Sequence, residues 1–378
     1  MSDLATPSAP LPKGRRAGRL LRLMSRPGFQ AWAALFPLTR GTVRREGAAM
    51  FDLVAGFCHS QILQALVELE ILATLLEREL TEAALAHRAA VPPERMRVLL
   101  RGGMALGLLR QRRSGRYALT RRGAALAGVP GLQGMIRHHA VLYRDLADPV
   151  AFFRGETSTE LAEFWPYVFG AGAAADPETA QTYSRLMTDS QSLVAADTLA
   201  VTDLSGVKRL MDVGGGTGAF LQAVAARYPS PELVLFDLPA VAPAARAAFD
   251  AAGIGARLRI ISGSFRDDDL PEGADTVTLV RVLYDHSDET VRALLSRIHA
   301  ALPAGGRLIV SEPMTGGARP ERAGDAYFAL YCMAMRTGRA RSADEIAALM
   351  REAGFDTPRG PRTRRPFVTS VLEGVKQS

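Results

Sequence analysis

The second half of the chain alternates short apolar runs with longer stretches that carry apolar residues at helical spacing. Strands alternating with helices predict a doubly wound α/β fold on a parallel sheet. Ligands of such sheets bind beyond the carboxyl ends of the strands, so the residues that follow each run are candidates for a site. The predicted strands cover residues 209–213, 231–237, 257–262, 275–283, 307–312 and 367–373.

The first half of the chain predicts helices and one hairpin. Apolar spacing over residues 50–77 predicts two helices, and shorter helices are expected at 81–87 and 91–106. A basic hairpin follows over 109–120, with its turn at Ser114 and Gly115. Three of these helices and the hairpin predict a winged helix, a fold used for DNA binding in some proteins and for dimerisation in others.

These patterns divide the chain into four parts. A basic leader with docking helices comes first, and a winged-helix domain follows it. A mostly helical linker then contributes to a substrate cavity and leads into the α/β domain. The predicted bounds are residues 1–45, 46–128, 129–205 and 206–378.

Composition is typical of a globular protein with an ample core, at 48% hydrophobic and 22% charged residues. No apolar run approaches the ~20 residues of a membrane span, and the N-terminus lacks the apolar core of a signal peptide. Cys58 and Cys332 are far apart and have no partners at metal-ligand spacing. We therefore expect a cytoplasmic chain without structural disulfides or a bound metal.

The net charge of +7 is concentrated near the N-terminus, where residues 1–50 hold nine basic and two acidic residues. Residues 1–15 are typical of a solubilising, partly disordered arm. Residues 15–36 interleave arginine with leucine, phenylalanine and tryptophan, and Pro27 with Gly28 divides them into two short helical pieces. Such a segment can lie on a membrane surface. A helix that covers a dimer or domain surface is the alternative.

A glycine-rich turn follows the first strand of the α/β half. Gly214, Gly216 and Gly218 come shortly after Asp212 and before a helix-favouring run. Glycine permits positive φ and close approach of a ligand, and the helix start offers unpaired N–H groups. Asp237 ends the second strand about twenty positions further on, where an acid can bind ribose hydroxyls. This arrangement predicts a nucleotide site, with a helix cap as the alternative role of Asp237.

Two polar or adaptable features of the linker suit a substrate cavity. His138 and His139 are neighbours on a predicted helix and therefore face different directions, which makes them poor joint metal ligands. Met187 can make adaptable apolar contacts with a substrate, and core packing is its alternative role.

Five stretches carry a family resemblance: 212–218 (DVGGGTG), 236–239 (FDLP), 285–289 (DHSDE), 302–306 (LPAGG) and 345–355 (EIAALMREAGF). In this order they resemble the S-adenosylmethionine-dependent O-methyltransferases of the plant caffeate and flavonoid type. The resemblance implies a Rossmann-like doubly wound class I methyltransferase domain, preceded by an α-helical winged-helix dimerisation domain. It also implies a homodimer, and it favours dimerisation over DNA binding, so no nucleic-acid partner is expected.

Six further stretches narrow the resemblance: 37–40 (PLTR), 51–57 (FDLVAGF), 146–149 (LADP), 164–167 (FWPY), 281–286 (RVLYDH) and 327–331 (YFALY). They are similar to the bacterial enzymes of purple phototrophs that methylate the tertiary hydroxyl at the end of an acyclic carotenoid. A carotenoid is insoluble in water, so this resemblance implies collection of the substrate from a membrane. Residues 15–36 are the expected contact, which would place the protein peripherally at the inner membrane.

The family resemblance assigns roles to individual residues. It implies that the glycine loop holds the methionine half of S-adenosylmethionine, that Asp237 binds the ribose and that Met187 clamps the substrate. Ser264 and Phe265 stand where the family has Asp-Met beside the adenine, and Arg281 stands where it has a lysine. The expected donor-binding residues are Asp212, Gly214, Gly216, Gly218, Asp237, Ser264, Phe265 and Arg281, and the expected substrate residues are Met187, His138 and His139.

The general base of the family is missing in its usual form. Plant-type enzymes carry His-Asp-Trp, with the histidine as base, where this chain has Tyr284-Asp285-His286. Glu312 is kept, but the second flanking glutamate aligns with Ala340.

A tertiary alcohol is too weak an acid to be ionised beforehand, so it must lose its proton during or after attack. With an ordinary pKa of ~6.5, His286 is the hypothesised acceptor, while Tyr284 orients the hydroxyl and Glu312 supports the histidine. Alternatively His286 replaces the packing tryptophan and faces the core. His138 and His139 are the next candidates.

Two other functions stay open at this point. Tyr284 at the base position is also similar to the bacteriochlorophyll carbon methyltransferases, so a bacteriochlorophyll precursor or a polyketide phenol is an alternative acceptor. A winged-helix regulator whose second half senses a ligand is the alternative from another class. The intact glycine loop and Asp237 argue against a lost donor site.

Overall fold

The computed structural model describes residues 18–164, 190–356 and 358–377, so the expected site of Met187 lies outside the described residues. Within these ranges the chain forms two compact units. The first contains the described parts of Met1–Ile71 and Glu79–Ala118. The second contains Leu72–Arg78 and the described parts of Leu119–Ser378.

The first unit is mainly helical. Its helices are α1 (Arg19–Met24), α2 (Pro27–Leu35), α3 (Arg40–Glu68), α5 (Glu82–Arg88) and α6 (Pro93–Ala105), while α4 (Ile71–Glu77) falls largely in the second unit. The predicted break at Pro27 is confirmed, because proline is tolerated at the first turn of a helix. Helix α3 begins well before the predicted residue 50, because residues 40–49 are rich in helix-favouring alanine, arginine and glutamate.

The predicted hairpin is present as β2 (Leu109–Gln111) and β3 (Arg116–Leu119), with Gly115 at a φ of 78° in the turn. A third strand that was not predicted, β1 (Leu80–Thr81), pairs antiparallel with β3. With only two residues it is too short to produce an alternating pattern. Helices and a three-stranded wing therefore form the first unit, as a winged helix requires.

Helix α3 is long and apolar enough to cross a membrane, judged by length and composition alone, and only 11% of its most apolar window is buried. The expectation that no apolar segment approaches a membrane span is therefore wrong, because it counted only uninterrupted runs. The side chains of Met50, Phe51, Leu53, Val54 and Phe57 are all exposed on this helix.

The second unit is built on a six-stranded sheet with the order β6-β5-β4-β7-β8-β9. All neighbouring pairs are parallel except β8 and β9, which are antiparallel. The strands are β4 (Arg209–Val213), β5 (Glu232–Asp237), β6 (Leu258–Ser262), β7 (Thr276–Val280), β8 (Arg307–Glu312) and β9 (Ser370–Val375). The predicted doubly wound α/β fold is confirmed.

Helices cover both faces of this sheet because its strands are apolar on both sides. Along β5, Val234 and Phe236 enter one apolar cluster, while Leu233 and Leu235 enter another on the opposite face. The helices that pack around the sheet are α12 (Ala219–Arg227), α13 (Ala242–Ala251), α14 (Asp288–Ala301) and α16 (Ala343–Glu352).

Two predicted strands are displaced by turns. Strand β7 ends at Val280 rather than residue 283, because Arg281 takes a φ of 60° and a 3-10 turn, Leu283–Asp285, follows. The last strand starts at Ser370 rather than residue 367, because the N–H groups of Val368 and Thr369 are donated to the Arg365 carbonyl.

The remaining helices of the second unit lie before the sheet and after β8. They are α7 (Arg121–Gly128), α8 (Leu132–Asp145), α9 (Pro149–Phe153), α10 (Glu160–Phe164), α11 (residues 190–201) and α15 (Ala329–Met335). A π-helical turn, Arg322–Phe328, leads directly into α15. An apolar cluster joins α8, α9 and α10 to α15 through residues that include Leu142, Phe152, Leu161 and Tyr331.

Candidate active site

The glycine loop between β4 and α12 has the conformation that the sequence predicts. Gly214, Gly216 and Gly218 have φ values of 71°, 60° and 76°, which side chains rarely tolerate. A Cβ added at Gly218 would lie 2.6 Å from the Phe249 ring, whereas one added at Gly216 would have 4 Å of clear space. The loop is therefore packed against the protein at one glycine and open at another.

Asp212 is buried next to this loop, near the end of β4. Its carboxylate is fully buried, accepts a 2.6 Å hydrogen bond from the Thr278 hydroxyl and would collide with a Cβ at Gly215. Burial raises the pKa of Asp212 to about 7. The expectation that Asp212 binds the donor is therefore corrected, because its carboxylate is fully buried and bonds Thr278 of the neighbouring strand.

Asp237 lies at the end of β5, where the sequence places it. Its two carboxylate oxygens accept 2.7 Å hydrogen bonds from the N–H groups of Gly216 and Leu238. The next helix, α13, has Val241 as its N-cap and no side-chain cap, so the alternative role of Asp237 as a helix cap is wrong. Asp237 instead joins the glycine loop to the neighbouring strand. Together, residues 214–218 and Asp237 form what we call the donor side.

Ser264 and Phe265 follow β6 at the same edge of the sheet. The Ser264 hydroxyl donates to Asp267, and the half-buried Phe265 ring contacts His286 edge-on at 5.1 Å between centroids. Phe265 also lies 3.8 Å from a Cβ position at Gly214. Phe265 therefore lies beside the donor side, and the adenine-binding role of Ser264 and Phe265 stays a prediction.

The His286 ring faces Arg266 and Phe265 rather than Tyr284. Arg266 donates to its Nδ1 at 3.0 Å, which places the ring proton on Nε2. Burial and the charges of Arg266 and Arg341 lower the pKa of His286 to about 3. The hypothesis that His286 accepts the substrate proton beside Tyr284 is corrected by this geometry, which matches the packing role left as the alternative.

Glu312 does not support a histidine. Its Oε1 accepts hydrogen bonds of 2.8 Å from the N–H groups of Val282 and Leu283, and its Oε2 is buried with no hydrogen-bond partner among the described residues. Burial raises the pKa of Glu312 to about 7 and also raises that of neighbouring Asp285. The acid therefore holds the turn after β7 and is corrected from a catalytic to a positioning role.

Arg341 was missed by the sequence analysis and holds the same turn from the other side. Its side chain is almost fully buried and donates to the carbonyls of Leu283 and His286 at 2.7 and 2.8 Å. It also pairs with Asp288 at 2.6 Å. Its place just before the capping box of Ser342 and Glu345 is a weak sequence signal, because basic residues beside helix starts are usually exposed.

Arg281 and Tyr284 form the centre of what we call the acceptor side, which comprises residues 281–286 and Glu312. The Arg281 guanidinium donates to the Ser190 hydroxyl at 2.8 Å and to the Tyr284 hydroxyl at 3.4 Å. Burial raises the pKa of Tyr284 far above its ordinary value, so its hydroxyl stays protonated. Tyr284 can therefore serve as a hydrogen-bonding group but not as an ionised base.

His138 and His139 bind different tyrosines, as neighbouring residues on a helix must. The Nε2 of His138 lies 2.8 Å from the Tyr331 hydroxyl, and that of His139 lies 2.7 Å from the Tyr327 hydroxyl. Within the described ranges, no group of three or more histidine, cysteine or acidic residues is placed to hold a metal. Both histidines are half-buried and belong to the second unit.

Comparison with known families matches both halves of the chain. Residues 51–128 match an O-methyltransferase dimerisation domain, and residues 143–356 match an O-methyltransferase domain.

Two curated relatives align over most of their length. The demethylspheroidene O-methyltransferase of Cereibacter sphaeroides is 58% identical and covers 95% of this chain and 94% of the relative. The enzyme of the same name from Rhodobacter capsulatus is 53% identical, and the alignment covers 90% of this chain and 85% of that enzyme.

Solved structures show the same fold. Human N-acetylserotonin methyltransferase in complex with S-adenosylmethionine has a TM-score of 0.73 at 24% identity, covering 88% of this chain and 98% of that one. A methyltransferase of calicheamicin biosynthesis, with S-adenosylhomocysteine bound, has a TM-score of 0.72 at 26% identity. The match covers 88% of this chain and 98% of that one.

Proposed function

The chain belongs to the O-methyltransferase family and is an S-adenosylmethionine-dependent O-methyltransferase, and we propose that it methylates the tertiary 1-hydroxyl of an acyclic carotenoid. The substrate is of the demethylspheroidene or hydroxyneurosporene type, and the step belongs to spheroidene biosynthesis. The observation that carries this proposal is the similarity of the chain to two demethylspheroidene O-methyltransferases. Each is identical to this chain at more than half of the aligned positions, over nearly the whole chain.

The described residues fit the methyl donor. Positive φ at three glycines and clear space at Gly216 let a ligand approach the backbone, and Asp237 presents a carboxylate beside that loop. The donor supplies a methyl group already activated by its sulfonium. Gly214, Gly216, Gly218 and Asp237 would hold it, with Ser264 and Phe265 at its adenine and Arg281 nearby.

The chemistry of a tertiary alcohol suits a site without an ionised base. Transfer from a sulfonium depends largely on aligning the hydroxyl oxygen with the methyl carbon. Tyr284, kept protonated and fixed by Arg281, orients the acceptor hydroxyl through a hydrogen bond. Glu312 and Arg341 hold the turn that carries Tyr284, so their contribution is to positioning.

A membrane surface is the proposed source of the carotenoid. Every side chain of α1 is exposed, including Leu20, Leu21, Leu23 and Met24 between basic residues. Exposed leucines insert into the lipid interface while arginines attract anionic headgroups. We therefore propose a cytoplasmic protein that binds the inner membrane peripherally through residues 15–36.

Deleting residues 15–36 is expected to weaken binding to anionic liposomes and leave donor affinity unchanged. Sedimentation with vesicles and calorimetry with S-adenosylmethionine measure the two properties separately. Unchanged liposome binding after the deletion would remove this segment from the proposal.

The dimerisation domain indicates a homodimer. We propose that a second copy of the chain packs on the exposed apolar side chains of α3. These side chains begin with Met50 and Phe51, at the start of the dimerisation domain. Large apolar patches are uncommon on monomers, so their burial between subunits is the expected arrangement.

The experiment that tests the function uses purified protein and methyl-labelled S-adenosylmethionine with three acceptors. These are a detergent-dispersed 1-hydroxycarotenoid, a bacteriochlorophyll precursor and a catechol. Label in the carotenoid alone supports the proposal. Label in the pigment or the phenol overturns the acceptor, and donor binding without any transfer favours a ligand-sensing regulator.

A further inference from the structure

Two histidine–tyrosine pairs connect α8 to the segment formed by the π-helical turn and α15. His139 bonds Tyr327 in the π-helical turn, and His138 bonds Tyr331 in α15. The two tyrosine rings lie 6.3 Å apart between centroids. The second unit therefore contains the same polar pair twice, side by side.

The two pairs differ in exposure. Tyr331 is only 7% exposed and packs in the apolar cluster with Leu142, Phe152 and Leu161. Tyr327 is half-buried and therefore has an open face. Of the two tyrosine hydroxyl groups, that of Tyr327 therefore belongs to the more exposed residue.

The pair of Tyr327 and His139 also lies near the acceptor side. Burial raises the pKa of Tyr327 to about 12, and the charge of nearby Arg281 opposes that rise. The 3-10 turn that carries Tyr284 also packs against α15, and the π-helical turn that carries Tyr327 leads directly into α15. We therefore place Tyr327 beside the acceptor side.

The π-helical turn is fixed in place. The Asp325 carboxylate accepts hydrogen bonds of 2.7 Å from the N–H groups of Gly316 and Glu321. A Cβ at Gly324 would collide with the backbone of Met314 and Thr315. π-Helical turns often occur at functional sites, and this one holds Tyr327 against His139.

His139 can accept the Tyr327 proton at Nε2 when its ring hydrogen is on Nδ1. Burial lowers its pKa, so the imidazole is neutral near neutral pH and has one nitrogen free of hydrogen. His286 does not serve as the proton acceptor, because its Nδ1 already accepts a hydrogen bond from Arg266. Glu312 does not serve either, because its Oε1 accepts hydrogen bonds from backbone N–H groups.

We propose that Tyr327 and His139 form the proton relay for methyl transfer, an inference that rests on the proposed function. The acceptor oxygen forms a bond to the methyl carbon as the carbon–sulfur bond breaks and leaves its electron pair on sulfur. The hydroxyl proton passes to the Tyr327 oxygen while the tyrosine proton passes to Nε2 of His139. The positive charge lost by the sulfonium thus reappears on the imidazole, which releases its proton to water after turnover.

The test compares Tyr327→Phe and His139→Gln with Tyr331→Phe, which removes the same hydroxyl from the buried pair. We expect kcat to fall about 100-fold in Tyr327→Phe and about tenfold in His139→Gln, as general acid–base groups contribute. Tyr331→Phe is expected to stay within about threefold of wild type. Calorimetric binding of S-adenosylmethionine and the thermal unfolding midpoint report whether each variant is folded and loaded.

A double variant distinguishes a relay from a structural contact. If both residues act in one relay, Tyr327→Phe combined with His139→Gln is no slower than Tyr327→Phe alone. Multiplying effects would instead indicate independent structural damage and overturn the relay.

The two proposals fail in different ways. Wild-type protein that leaves the carotenoid unmethylated overturns the proposed function together with the relay. Wild-type turnover that Tyr327→Phe retains overturns the relay alone. A Tyr331→Phe variant as slow as Tyr327→Phe, with donor bound normally, also overturns it, because the exposure of Tyr327 would then have no consequence.

Discussion

The donor side of the crevice is made mainly of backbone, whereas the acceptor side is held by buried polar side chains. On the donor side, three glycines at positive φ present the main chain, and Asp212 and Asp237 lie at the ends of the strands before and after the loop and α12. On the acceptor side, Arg341 and Glu312 reach the turn at Tyr284 from distant parts of the chain. The donor side is therefore sensitive to added atoms, and the acceptor side to removed hydrogen bonds.

The largest expected effect is on the acceptor side, in Arg341→Met. The substitution leaves the buried carbonyls of Leu283 and His286 without their donor, and each unsatisfied buried acceptor costs about 1–3 kcal/mol, so a total loss of about 3 kcal/mol is expected. Chemical denaturation is expected to show that loss, together with a lowered kcat.

Arg339→Met is the matched control, because Arg339 also pairs with Asp288 but its side chain is 46% exposed, against 1% for Arg341. An exposed pair contributes about 1 kcal/mol or less. Equal losses in the two variants would show that the buried contacts of Arg341 do not hold the turn.

Adding one methyl group should distinguish two glycines on the donor side. Gly218→Ala combines backbone strain with a collision against Phe249, and together these are expected to cost about 3 kcal/mol. Gly216→Ala carries the same kind of strain without the collision and should cost about 1 kcal/mol. Thermal unfolding measures the difference.

Calorimetry with S-adenosylmethionine measures the effect of these two substitutions on the site itself. Gly218→Ala is expected to weaken donor binding at least tenfold, equivalent to about 1.4 kcal/mol, because Phe249 pushes the loop out of shape. Equal stability of the two variants would mean that the loop shifts to accommodate the Phe249 ring. The packing of Gly218 against that ring would then not determine the shape of the site.

The same contrast explains what could be predicted from sequence. The glycines and Asp237 lie close together along the chain, so spacing and periodicity were sufficient to place them. The pairs of His138 with Tyr331 and of His139 with Tyr327 join residues almost two hundred positions apart. No local pattern reports such a contact, which is why the histidines were proposed without their partners.

The error over His286 has a physical origin. An ordinary imidazole pKa made His286 the natural base, but its basicity depends on neighbours from other elements. Arg266 and burial lower the pKa of His286 to about 3, and Phe265 turns the ring toward the donor side. Tertiary surroundings decide the pKa of a buried group, and sequence spacing does not contain them.

The smallest effect, and the most specific, concerns the pH dependence of stability at Glu312. Burial raises its pKa to about 7 from an ordinary value near 4.5, so the folded protein binds more protons than the unfolded chain between these values. Stability therefore falls as pH rises from about 4.5 to about 7. Glu312→Gln removes the ionisation and should therefore abolish the contribution of Glu312 to this loss.

Denaturation of wild type and Glu312→Gln across this pH range measures the effect. The two proteins should differ least at the acid end, where both carry an uncharged group that accepts from Val282 and Leu283. The variant should gain on wild type as pH rises, while Asp285 leaves a common slope in both, because burial also raises its pKa. Parallel pH profiles would mean that Glu312 is ionised throughout, and the acceptor side would then be held by charge rather than by neutral hydrogen bonds.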